Sequence, residues 1–276
     1  MLHKYILIIS ALFLPLNTCL ASENINIFYG DDISKDIVNM TRDAINNSNQ
    51  FILSEKENEY TNSKEELFLV LGKEALSKIA KSDVRGGILT ILVDKSAFTE
   101  MRGVKDIYAI YSDPNIDKQR ILIDKIFGVD KIIHRFFIND SDIEESSRVI
   151  NHKIENADDV EKIVRSLDVN SVILLTPNIQ VINRKNYRNI LISSYRRGIT
   201  IIGYTKGMVK AGAVATVYHT VETYIKESLD WFAEKKDKNL YANKSELVIN
   251  HPVLKSLQLD IGDESSIKKS LDTQRK

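Results

Sequence analysis

The side chains best suited to chemistry in this chain stand at the ends of apolar runs. Tyr29 closes NIFY, Gly72-Lys73 follow ELFLVL, and Tyr111 closes IYAIY. Thr176 and Asn178 flank Pro177 after SVILL, Tyr204-Thr205 follow TIIG, and Tyr218-His219 close a further apolar segment shortly after. Ring faces, hydroxyls, an amide, an imidazole and an ammonium group together suit a pocket for a small polar molecule. Asn178 can donate and accept, Thr205 can do both through one hydroxyl, and Tyr204 offers a ring with a polar tip. Gly72-Lys73 opens a helix directly after a strand, where free N–H groups could receive an anion. A glycine that simply fits a tight strand-to-helix turn is the plainer reading of the same residues. Asp31-Asp32 reads first as a solvated turn, with a hold on an ammonium group as its rival.

Patterns for reaction chemistry are missing from the sequence. His134, His152, His219 and His251 show no metal-ligand spacing such as i, i+4 on one helix. There is no GxSxG elbow, phosphate-loop motif or HExxH. A binding protein with no catalytic residues, no metal and no cofactor is therefore the expectation.

Strand-like and helix-like segments alternate around these positions. Asn26–Tyr29, Glu66–Leu71, Gly87–Val93 and Ile107–Tyr111 read as buried strands. Ser34–Asn46, with Ser34 as N-cap, and Lys73–Lys81 read as the helices between them. The alternation restarts with a helix over Asp117–Phe127, a strand over Lys131–Ile138 and a helix over Ser141–Val149. A short strand at His152–Ile154, a helix over Ala157–Leu167, the strand Ser171–Leu175, a helix over Val181–Arg196 and the strand Thr200–Gly203 follow. Continuous apolar strands between amphipathic helices imply α/β architecture with parallel sheets covered on both faces. Two such runs, parting near Tyr111–Pro114, suggest two doubly wound, Rossmann-like lobes, without a visible sequence repeat. In such sheets ligands bind beyond the carboxyl ends of the strands, which is where the polar set lies. The tail from Asp263 reads as a solvated terminus with a short helix.

The 276 residues are 43% hydrophobic and 28% charged, enough for one large domain or two lobes with real cores. Lys+Arg and Asp+Glu both number 38, so nothing in the balance asks for a nucleic-acid partner. Lys4, the apolar run YILIISALFL and Cys19-Leu20-Ala21 have the form of a cleaved signal peptide over residues 1–21. That predicts a periplasmic protein beginning near Ser22, with lipidation at Cys19 as the competing reading. Cleavage after Ala21 removes the only cysteine, so the fold stands without a disulfide.

The stretch Ile201–Tyr224, IIGYTKGMVKAGAVATVYHTVETY, resembles a signature of ABC-transporter substrate-binding proteins, the group with tryptophan- and tyrosine-binding members. Gly203-Tyr204-Thr205 stands where that family has Gly-Phe-Ser. Val209–Ala215 matches its Val-Lys-Ala-Gly-Ala-Leu-Ala, and Tyr218-His219-Thr220 its Tyr-Ser/Thr before a capped helix. Three further stretches are similar in order: IYSDPNIDKQRILIDKIFG, ILLTPNIQVINRKNYRNILISSYRRGITIIG and ELVINHPVLKSLQLDIGDE. In the first lobe, VLGKEAL resembles Gly-x-x-Ala-Leu. The chain departs from the family at Thr176-Pro177-Asn178, where an acidic residue becomes an amide, and at Thr205. Ligand identity is therefore not carried over.

The resemblance implies a type I periplasmic-binding-protein fold, with lobe 1 over 22–111 and 219–240 and lobe 2 over 112–218 and 241–276. It further implies a small-molecule ligand between the lobes, an ABC permease in the inner membrane as partner, and no stable oligomer. A binding-fold sensor or interaction protein uncoupled from transport is the alternative.

Overall fold

The computed structural model describes residues 23–54, 66–103, 106–137, 147–177 and 182–272. The first run comprises β1 (Glu23–Tyr29), α1 (Lys35–Asn46), β2 (Phe51–Leu53), β3 (Leu67–Leu71), α2 (Gly72–Lys81), β4 (Gly87–Val93), α3 (Lys95–Met101) and β5 (Ile107–Tyr111). The second comprises α4 (Ile116–Phe127), β6 (Ile132–Phe137), β7 (Val149–Lys153), α5 (Ala157–Ser166), β8 (Ser171–Leu174), α6 (Arg184–Arg196), β9 (Thr200–Ile202), α7 (Lys206–Ala211) and β10 (Ala215–Tyr218). The chain closes with α8 (Val221–Ala233), β11 (Leu240–Tyr241), β12 (Glu246–Ile249), α9 (His251–Ser256) and α10 (Glu264–Asp272).

The strands form two six-stranded sheets, ordered β11-β5-β4-β3-β1-β2 and β12-β10-β9-β8-β6-β7. Every pairing is parallel except β10 with β12. From the far edge inward, both sheets wind second-first-third-fourth-fifth and take a last strand from the chain's closing part. The two lobes thus repeat one topology that no sequence repeat announces.

Strand periodicity explains why both faces of each sheet are covered. In β3, Leu69 and Leu71 face a core shared with Ile45 of α1 and with Tyr224, Ile225 and Trp231 of α8. Phe68 and Val70 face the opposite core with Leu76 and Ile79 of α2 and Phe98 of α3. In β8, Val172 and Leu174 meet α4, α9 and α10, while Ile173 meets α5, α6 and α7. Because α8 packs on the first sheet after β10 has paired in the second, the chain passes between sheets after β5, after β10 and after β11.

Several local expectations change. Ser147 and Arg148 form a turn and Val149 begins β7, so no helix reaches Val149. Pairing of Val149 with Ile133 overrides the helix-forming residues before it, of which 141–146 lie outside the described residues. Helix α6 starts at Arg184, not Val181, and Asn183 accepts the Asn186 N–H at 3.0 Å. Tyr241, assigned from sequence to lobe 2, pairs with Tyr111 in the first sheet. The tail helix is docked: Ile267 and Leu271 of α10 are buried against the second sheet's core. Residues 1–21, expected from the sequence to be a leader, lie outside the described residues.

Candidate functional site

At the edge of the first sheet, three strand-to-helix turns are laced together by carboxylates. Gly72 has φ +83, which glycine adopts freely, and a Cβ there would lie 2.8 Å from Asp32 Oδ2. That same Asp32 oxygen accepts the N–H groups of Lys73 at 3.1 Å and Glu74 at 3.4 Å. The anion at the start of α2 is therefore the protein's own, and the solvated Asp31-Asp32 turn is tied down. Glu74 accepts the Asp31 N–H at 2.8 Å and the Lys78 ammonium at 2.6 Å, and these two hold its carboxyl below the usual range. Lys73 forms an ion pair with Asp94, whose other oxygen caps α3 through the Ala97 N–H at 2.8 Å. Asp113, from the first crossing, accepts the Lys95 N–H.

Tyr29 and Tyr111 stand differently from one another. Tyr29 is half-buried and packs against the α1–α8 core. Tyr111 is only 8% exposed, edge-on to Phe98 at 5.7 Å and tilted against Tyr241 at 5.2 Å. Its phenol is pushed up by burial, and its ring is part of the lobe's core.

On the second sheet, Thr176 donates to the Phe136 carbonyl at 3.2 Å. Thr205 caps α7 by accepting the Met208 N–H at 3.2 Å. Gly203 is required by close approach, since a Cβ would meet Met208 Cβ at 2.9 Å, and Thr216 donates to its carbonyl at 2.7 Å. Tyr204 packs against the α5–α6 core, and burial raises its phenol. Asn178 lies outside the described residues. Lys73 bonds inside the first lobe, and Thr176 and Thr205 bond inside the second.

The crossings hold Tyr218 and His219, together with residues that sequence alone does not single out. Tyr218 ends β10 opposite Glu246, and the His219 Nδ1–H donates to the Lys244 carbonyl at 2.7 Å. Burial lowers the pKa of His219, so its ring is neutral at neutral pH. Lys118 of α4, 2% exposed, donates to the Asn243 carbonyl and to Ser245 Oγ, the latter at 2.7 Å. Gln119 donates to the Val217 carbonyl at 2.7 Å. From the first lobe, Glu227 of α8 accepts the N–H groups of Asn243 at 2.8 Å and Lys244 at 3.0 Å. Residues 243–245 are thus gripped from both lobes at once. The available signal was a lysine and a glutamine on the apolar stripe of α4, at helical spacing from Leu122, Ile123 and Ile126.

Among the described residues no cluster of three or more metal-ligating side chains is present. The nearest approach is His134 Nδ1 to His152 Nε2 at 2.8 Å, a hydrogen bond between neighbouring strands continued from His134 Nε2 to Ser171 Oγ at 3.1 Å.

Solved structures share this architecture over nearly the whole chain. One is a substrate-binding protein with adhesive properties from Clostridium difficile in its ligand-free, open form (TM-score 0.60, 13% identity, 88% of this chain and 97% of that one). Another is a Streptococcus pneumoniae ABC domain in complex with L-Trp (TM-score 0.51, 13% identity, 90% and 98%). A third is a conserved domain protein from Vibrio cholerae (TM-score 0.50, 12% identity, 91% and 99%). The fold is that of the type I periplasmic binding proteins. No protein-family model matches the chain, and no curated protein matches it either. At these identities the likeness is one of fold. Tyr29, Gly72-Lys73, Thr176 and Tyr204-Thr205 all stand just at or beyond the carboxyl ends of parallel strands of the two sheets.

Proposed function

We propose that this protein captures a small polar molecule between its lobes and delivers it, without a chemical step, to an ABC permease in the inner membrane. The observation that carries the reading is the pair of like-wound sheets joined by three crossings, with polar side chains at the strand ends. Such an arrangement can close, because a ligand that touches both lobes adds its binding free energy to the closed form alone. The L-Trp bound by the pneumococcal domain supports an amino-acid-like ligand as the first class to try. A cleaved leader and a periplasmic location belong to the same proposal, and mass spectrometry of the mature N-terminus tests them. A start near Ser22 is expected, whereas a lipid on Cys19 or a retained Met1 contradicts it.

A second reading, a sensor or interaction protein on this fold, is favoured by one observation. Lys73, Thr176 and Thr205 spend their side-chain bonds inside their own lobes. A thermal-shift screen against amino acids, nucleosides and sugars separates the two. A ligand at 100 times its dissociation constant stabilises the native state by about 2.7 kcal/mol, which moves the melting temperature by several degrees. No shift across the panel, with tight binding to a macromolecule, supports the second reading.

A further inference from the structure

At the far end of the second sheet from Tyr204-Thr205, where β9 and β10 begin, α6, α7 and α9 line an open hollow of about 350 Å³. Leu191, Tyr195, Ile199, Val214, Val253 and Leu257 supply most of its apolar lining, and among the described residues Arg196 is its only charged lining residue. Gly212 brings the end of α7 close to α6, since a Cβ there would meet the Leu191 methyls at 3.4 Å. Ser194, 1% exposed, belongs to the wall, and its hydroxyl has no hydrogen-bond partner among the described residues. Beside the cavity the same helix leaves Ile192 41% and Tyr195 56% exposed.

A second, open cavity of about 340 Å³ shares Ile192 and Arg196 with the first, and its other lining residues are polar or charged. It gathers the guanidinium groups of Arg165, Arg196 and Arg197 against a single carboxylate, Glu161. Glu161 already pairs with Arg165 at 2.5 Å, and Arg197 donates to the Leu167 carbonyl at 2.8 Å. Arg196 is exposed, and its side chain makes no hydrogen bond or ion pair with the described residues. An apolar hollow and a hollow with excess positive charge therefore meet at one free guanidinium.

We propose that these joined cavities on the outer face of the second lobe bind an anionic amphiphile, a molecule with an alkyl body and a carboxylate or phosphate head. The body fills the hollow between α6 and α9, and the head accepts charge-assisted hydrogen bonds from Arg196. Concavity favours a single inserted molecule over a bilayer surface, which would rest on projecting side chains. The site lies away from the strand ends of the cleft, so its fate is independent of the proposed function.

Calorimetric titration of the mature protein with laurate, below its critical micelle concentration, tests the proposal. Laurate is expected to bind at one site, and dodecyltrimethylammonium, with the same tail and the opposite charge, at least tenfold more weakly. Arg196→Glu and Ile192→Asp should each weaken laurate at least tenfold with unchanged melting curves, both residues being exposed. Arg196→Gln serves as the milder variant should Arg196→Glu perturb the fold. Equal binding of the two surfactants, or unaltered laurate affinity in both Arg196 variants, overturns the proposal. Absence of laurate binding beside cosedimentation with phosphatidylglycerol vesicles, or beside capture of a protein partner at this face, also overturns it.

Discussion

Lys118 shows how one residue can carry a structural decision that its type conceals. A lysine is ordinarily exposed, yet this one sits at 2% exposure with its ammonium on the Asn243 carbonyl and Ser245 Oγ. Burial lowers its pKa, while Asp272 and Glu227 pull the other way. Lys118→Met should cost about 1–3 kcal/mol in chemical denaturation, because the Asn243 carbonyl is left unsatisfied. Unchanged stability would mean that water replaces the ammonium. His134 gives the pH dependence. Burial, with the His152 ring beside it, drops its pKa from 6.5 to about 4, while Asp168 opposes. The unfolded chain therefore takes up the proton first, so stability is full above about pH 6.5 and falls as pH drops towards 4. A pKa lowered that far on folding makes the loss of the order of a few kcal/mol. His134→Gln should make the fall in melting temperature between those limits shallower without abolishing it, because burial lowers the His152 and His219 pKa values too. An equally steep acid limb in the variant would assign the effect elsewhere. The hydroxyl and ammonium types at the strand ends were legible in the sequence. Their partners were not, because Asp94 and the Phe136 carbonyl reach them only through tertiary packing.

At the scale of elements, local signals worked where periodicity and caps agreed. Ser34 caps α1 as its position suggests, accepting the Ile37 N–H at 3.4 Å, and Gly87–Val93 forms the expected strand. They failed where a distant partner decides, as at Val149, whose strand exists because Ile133 lies beside it. The tail is a milder case: Ile267 and Leu271 are four apart on an otherwise polar helix, and the hollow they fill lies on α4 and α9. Leu271→Asp should therefore destabilise the protein by about 2–5 kcal/mol, the range for losing a buried leucine. A melting curve matching the parent would return the tail to the solvated terminus expected from its composition. Thr205→Ala should cost about 1 kcal/mol through the lost cap of α7. If Thr205 also meets ligand, affinity falls by more than this stability change accounts for.

For the whole molecule, alternating apolar and amphipathic segments were enough to give two doubly wound lobes. The repeat of one strand order in both was invisible, because topology is conserved by the path of the chain and not by its side chains. The boundary at Tyr241 falls one residue later than expected for a related reason: β11 is only two residues long, too short for a periodic signal. Residues 243–245, held by Lys118 from one lobe and Glu227 from the other, tie the last crossing to both lobes by hydrogen bonds. On the proposed function, a ligand draws the lobes together. Small-angle scattering of the mature protein, with and without saturating amounts of the compound that most raises its melting temperature, measures this directly. A smaller radius of gyration is predicted with ligand bound. An unchanged radius beside a raised melting temperature would contradict closure and leave a rigid binding module in its place.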